Sequence, residues 1–97
     1  MFARFTTVQL KIDKIDDAIR ICEKSIVPAA QSQKGFLKWK MFLDRETGKA
    51  MFYTLWETRE DAIANEKSLY YQEQIVKLMP FFRSNPMREG FDVEIDV

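Results

Sequence analysis

Residues 36–44 and 49–57 alternate in the manner of two strands, yet neither face of the pair they form is properly polar. Between them, Asp44-Arg45-Glu46-Thr47-Gly48-Lys49 reads as a hairpin loop in which Gly48 can take positive φ. Pairing Asp44 with Lys49 sets Leu37, Trp39, Met41 and Leu43 on one face, beside Trp56, Thr54, Phe52 and Ala50. The other face carries Lys38, Lys40 and Phe42 with Met51, Tyr53 and Leu55, a mixed surface. A sheet built on such a hairpin needs cover on both sides, because a wet apolar face of that extent invites aggregation.

The flanking segments supply cover for one side. Residues 2–10 alternate and carry Phe, Thr and Val, which suits a strand. From 13 to 32 the period changes: Ile15, Ala18, Ile19, Cys22, Ile26 and Ala30 form one helical stripe. Asp13 or Asp16 is placed to cap its start, and Pro28, which lacks an N–H, is expected to kink or break it near the last turn. Thr58-Arg59-Glu60-Asp61 is a capping-box pattern that opens a helix from 59 to about 68. A second helical piece covers roughly 70–79 and stops at Pro80; Phe81 and Phe82 follow in a loop with Arg83, Ser84, Asn85 and Pro86. The strict apolar/acidic alternation of 91–97 predicts the last strand.

The order β-α-β-β-α-β predicts an α+β, ferredoxin-like domain, an antiparallel four-stranded sheet with both helices on one face. A second copy across a two-fold axis then covers the bare face, giving a dimeric α/β barrel.

At 97 residues the chain is expected to be one domain, 1–97. A single cysteine, Cys22, and no histidine rule out an internal disulfide and leave little for a zinc site, and Cys22 in the helix stripe reads as an inert apolar residue. Oligomerisation is the remaining aid for so small a core. Fifteen basic and fifteen acidic residues cancel without a basic run, which argues against nucleic acid. No apolar stretch approaches the ~20 residues of a membrane span, and Met1-Phe2-Ala3-Arg4-Phe5-Thr6-Thr7 lacks the signal-peptide pattern, so a reducing cytosolic setting is expected.

Gly35-Phe36, the acidic hairpin Asp44–Lys49, the run Leu55-Trp56-Glu57-Thr58-Arg59-Glu60-Asp61-Ala62 and Pro28 together resemble the antibiotic-biosynthesis monooxygenase family of the dimeric α/β barrel superfamily. The resemblance implies a homodimer with a ligand cavity between helices and sheet in each subunit, and, in some members, oxygenation of phenols or quinols without a cofactor. Lys38 and Lys40 lie on one edge strand and Glu94 and Asp96 on the other; in dimers that this chain resembles the last strand reaches toward the partner's sheet, which implies cross-subunit pairing of these charges at roughly 0–1 kcal/mol per pair. In the haem-degrading branch an Asn on the first strand and a Trp and His near the second helix carry the chemistry. Here the first strand offers Thr6 and Thr7, Asn65 and Glu66 stand near the Trp position, and no His exists, which disfavours haem degradation.

Cofactor-free oxygenation needs an apolar box for an aromatic ring and groups that stabilise its anion. Asn65, Arg83 and Tyr71 are the candidates for catalysis. Trp56, Tyr53, Trp39, Phe81, Phe82 and Tyr70 are candidates for ligand binding, although Tyr70 and Tyr71 point about 100° apart on a helix, so at most one should face a cavity. Each also has a plainer reading: the tryptophans as core or interface anchors, Arg83 as a helix cap, Asn65 as a solvated helix residue. The alternative function is a non-catalytic ligand-binding or stress-associated barrel protein.

Overall fold

A computed structural model describes residues 1–97. Strands β1 (Phe2–Gln9), β2 (Phe36–Leu43), β3 (Lys49–Trp56) and β4 (Met87–Asp92) form one antiparallel sheet in the order β2-β3-β1-β4. Helices α1 (Ile15–Ile21), α2 (Val27–Gln31), α3 (Arg59–Lys67) and α4 (Leu69–Val76) complete a ferredoxin-like α+β fold. Val8, Leu10, Ala50 and Phe52 of the sheet meet Ile15, Ala18, Cys22, Ile26 and Leu78 in the main apolar core; Phe2, Trp56 and Ala62 make a smaller one.

The hairpin has the expected register, with Leu43 opposite Ala50, Met41 opposite Phe52 and Trp39 opposite Thr54. The Asp44 N–H donates to the Lys49 carbonyl at 2.9 Å, and its carboxylate accepts from the Glu46 N–H at 2.9 Å. Gly48 adopts φ of 80°, and a Cβ there would stand 2.5 Å from the Leu10 carbonyl oxygen. That oxygen is backbone and cannot step aside. Gly48→Ala should therefore destabilise the fold by about 2–4 kcal/mol, seen as a lower urea midpoint with an unchanged m value.

Three expectations need correction. Leu37 does not share the inner face: a bulge between Phe36 and Lys38 sets Phe36 opposite Trp56, edge-on at 5.8 Å, and turns Leu37 outward. Pro28 does not end the helical run, which continues through Val27–Gln31. A π turn at Cys22–Ile26 precedes it, where Val27 N–H reaches back five residues to the Cys22 carbonyl, and the missing proline donor falls at the opening of α2. No side chain caps the first helical run, so Asp13 and Asp16 act there only as charges in its first turns.

The last strand is Met87–Asp92 rather than 91–97. It pairs with β1 from Met87 opposite Thr7 to Asp92 opposite Phe2, and the Val93 N–H donates to the Met1 carbonyl at 3.0 Å. Glu94 and Asp96 are thus outside any strand, which removes the strand geometry on which their pairing with Lys38 and Lys40 was expected. Phe81 and Phe82 are also more ordered than a loop: Phe81 ends a 3₁₀ turn and Phe82 bridges to Leu10.

The outer face of the sheet carries no helix. Phe5 lies at its centre between Tyr53 (ring centroids 5.3 Å apart) and Phe91 (6.0 Å). Around them Phe42 is 51%, Phe91 52% and Met87 63% exposed, a degree of wetting that core strands do not show.

Candidate functional site

The inner face encloses a cavity of about 330 Å³ beneath α3 and α4. Its floor follows from strand alternation. Phe2, Arg4, Thr6 and Val8 of β1 all point inward, so a guanidinium and a hydroxyl stand midway along an otherwise apolar row. Trp39, Phe52, Thr54 and Trp56 extend the floor on one side and Arg88 of β4 on the other. The roof is set by Ser68, which ends α3 by donating its N–H to the Asn65 carbonyl (3.1 Å) and caps α4 by accepting from the Tyr71 N–H (3.3 Å). This double cap turns the chain so that Asn65 and Glu66, from the end of α3, and Tyr71, from the start of α4, all line the cavity.

Donors here outnumber acceptors. Trp56 Nε1 is satisfied, donating to Thr54 Oγ1 at 2.9 Å. Trp39, stacked on Phe52 at 5.7 Å, has no partner for its Nε1, and Asn65, 4% exposed, has none for Nδ2. Arg4 forms an ion pair with the Glu66 carboxylate through one terminal nitrogen and lies over the Phe2 ring, while its Nε is also unpartnered. Burial, and then the like charges of Arg88 and Arg59, lower the Arg4 pKa from its usual value. Each buried unpaired N–H costs about 1–3 kcal/mol. Three of them around one space mark it as shaped for acceptor atoms.

Tyr71 is a neutral phenol, its pKa pushed up from 10.0 to about 12 by burial above all, with Arg88 opposing and Cys22 adding to the shift. The Cys22 thiol is likewise pushed from 9.0 to about 12 by burial and Glu23. Both acids are protonated in the native state at pH values where the unfolded chain has lost the proton. Their stabilisation is complete below the unfolded pKa values and is lost as pH rises, over 9 to 12 for Cys22 and 10 to 12 for Tyr71. Urea midpoints taken across that range should fall, and Tyr71→Phe should remove part of the fall above pH 10.

No family model matches the sequence. Two uncharacterized proteins from strains of Mycobacterium tuberculosis are 29% identical over 69 residues, or 71% of this chain, and the match spans only 31% of their length. Solved structures agree far more widely. An antibiotic biosynthesis monooxygenase superposes with a TM-score of 0.79 at 14% identity, over 96% of this chain and 98% of its own. A candidate antibiotic biosynthesis monooxygenase of Bordetella bronchiseptica gives 0.84 at 12%, over 97% of each chain. The chain has the antibiotic biosynthesis monooxygenase fold. A conserved protein of Methanosarcina mazei shares it at a TM-score of 0.81 and 12% identity, over 93% of this chain and 89% of its own.

Within this fold, Asn65, Tyr71, Trp39, Trp56 and Phe82 come together around the cavity. Tyr53 is on the outer face of the sheet, Tyr70 is half exposed on α4, and Phe81 packs at the edge of the main core. Arg83 does not line the cavity itself but, with Ser84 and Asn85, an open depression that adjoins it through Met79, Phe82 and Pro86. Sequence reasoning passed over Arg4 and Arg88 as cavity groups, and named Thr6 and Glu66 only at the positions that carry the chemistry in the haem-degrading branch. The alternation of 2–10 already held the signal for two of them, since it places Arg4 and Thr6 in one row with Phe2 and Val8. Arg88 was hidden because the last strand was expected to begin at 91. No helix is long and apolar enough to cross a membrane, and no three His, Cys, Asp or Glu side chains are grouped to hold a metal ion.

Proposed function

We propose that the cavity binds a small aromatic compound of the phenol or quinol type and directs its oxidation by dioxygen without a cofactor. The observation that supports this reading is the set of three unpartnered donors, Arg4 Nε, Trp39 Nε1 and Asn65 Nδ2, around a space walled by Trp56 and Phe52. An aromatic ring fills the apolar part, and its oxygen substituents accept from the donors. Those donors stabilise the electron-rich anion that reduces oxygen. For 1-naphthol the balance is one naphthol plus O₂ giving 1,4-naphthoquinone plus water. Tyr71, neutral at physiological pH, donates a hydrogen bond rather than accepting a proton.

The outer sheet face is assigned to a second copy of the chain, which completes a barrel. A buried free thiol and the absence of any disulfide suit a reducing compartment such as the cytosol.

Oxygen-electrode measurements with 1-naphthol and 1,4-naphthohydroquinone, each against a buffer blank, test the reaction. Uptake should exceed the blank and cease on anaerobiosis; uptake no faster than the blank removes the enzyme. One observation favours the non-catalytic reading. Glu66 is the sole carboxylate lining the cavity and is held by Arg4, so no free base stands beside the ligand. Calorimetric binding of 1-naphthol without oxygen uptake would decide for that reading.

A further inference from the structure

The charged groups lining the cavity are Arg4, Glu66 and Arg88, two cations against one carboxylate. Glu66 is committed to one terminal nitrogen of Arg4. Arg4 Nε is left free, and Arg88 takes part in no ion pair. The two arginines are diagonal neighbours on the inner face, because Arg4 pairs with Gly90 and Thr6 with Arg88 in the β1–β4 register. Both line the same cavity, and after burial the like charge of Arg88 contributes to lowering the Arg4 pKa.

The Phe2 ring lies over Gly90 beside Arg4: a Cβ there would meet Phe2 Cζ at 2.5 Å, with Arg4 Nε at an ordinary contact distance of 3.7 Å, so the position admits the ring only as glycine. Opposite, Asn65 is almost wholly buried with Nδ2 unpartnered.

We propose that Arg4 and Arg88 form an anion subsite at one end of the cavity, and that the ligand is an aromatic carboxylic acid rather than a neutral phenol. This rests on the ligand-cavity reading above and narrows its substrate class. A carboxylate matches in charge, since the lining carries one uncompensated positive charge. It also matches in shape: one oxygen accepts from the Nε edge of Arg4 and the other from Arg88, a two-point contact that a lone phenolate oxygen cannot make. The ring then extends from the carboxylate toward Trp39 and Trp56, leaving Asn65 Nδ2 and Trp39 Nε1 for oxygens on the ring.

Titration calorimetry of the whole chain with 1-hydroxy-2-naphthoate, 1-naphthol and 1-naphthyl phosphate tests this. The hydroxynaphthoate should bind at least about tenfold tighter than 1-naphthol at low ionic strength, and 0.5 M salt should narrow the gap, as a charge-assisted contact requires. Arg88→Gln, at an exposed position that the fold does not depend on, should bring the two ligands to within about threefold by weakening the acid alone. Equal affinities in the parent protein, or a preference that survives Arg88→Gln, would overturn the subsite while leaving the cavity reading in place. A naphthyl phosphate that binds tighter than the carboxylate would overturn the assignment of ligand class. If none of the three binds, the ligand-cavity reading falls, and this inference with it.

Discussion

Asn65→Leu is expected to abolish most turnover of the preferred naphthol while making the protein more stable. The two effects have one origin. Nδ2 is a buried donor with no acceptor, and the side chain is 4% exposed, so the folded chain carries a desolvation cost that water would relieve in the unfolded state. Leucine is close to asparagine in size and has no such group, so stability should rise by about 1 kcal/mol. In the proposed oxidation the same N–H would hold an oxygen on which negative charge develops, and deleting one such donor lowers kcat by about 10²–10³-fold. Urea denaturation and oxygen uptake on a single preparation read both quantities. If rate and stability drop together, Asn65 is a structural residue and its place in the mechanism is lost.

The second large effect concerns the outer face. In sedimentation velocity at micromolar concentration the parent chain should run as a dimer, and the double variant Phe42→Asp, Phe91→Asp as a monomer. Both phenylalanines are about half exposed in the isolated subunit, at 51% and 52%, so charging them disturbs its fold little. Against a facing copy, however, two carboxylates per subunit would have to be desolvated in an aromatic patch, and loss of central aromatic anchors alone costs about 2–4 kcal/mol each. The dimer dissociation constant should rise by at least about 10³-fold. Circular dichroism guards against a trivial result by showing that the variant keeps the parent spectrum. A parent chain that is itself monomeric at these concentrations ends the proposal of a barrel.

The parts of the fold that sequence periodicity describes well are those where local and tertiary demands coincide. The 44–49 turn is one, because Asp44, Thr47 and Gly48 each satisfy a backbone requirement of the hairpin within a few residues. The Thr58 cap is another, its hydroxyl accepting from the Asp61 N–H at 3.0 Å. Where the decision is made elsewhere in the chain, periodicity misleads. Residues 91–97 have a strong strand pattern, yet of these only Phe91 and Asp92 pair with β1, opposite Ala3 and Phe2. Pro28 is a helix breaker by local rules, yet the π turn before it absorbs the missing donor. The site divides in the same way. Asn65, Tyr71, Trp39 and Trp56 were visible as residue types suited to an aromatic ligand. The Arg4–Glu66 pair joins β1 to α3 across 62 residues, and only the folded chain shows that Arg4 spends one end of its guanidinium on it.

The last five residues behave differently from the rest of the chain. Glu94 to Val97 lie outside the strand, with Ile95 82% exposed, yet Asp96 adds its charge to the burial that raises the Tyr53 phenol pKa. The tail therefore overlies ground that a facing subunit would also claim, and the two are rivals for it. Deleting residues 93–97 should tighten self-association where the tail acts as a loose lid, and a tail that instead clasps the neighbour should protect itself from carboxypeptidase as protein concentration rises.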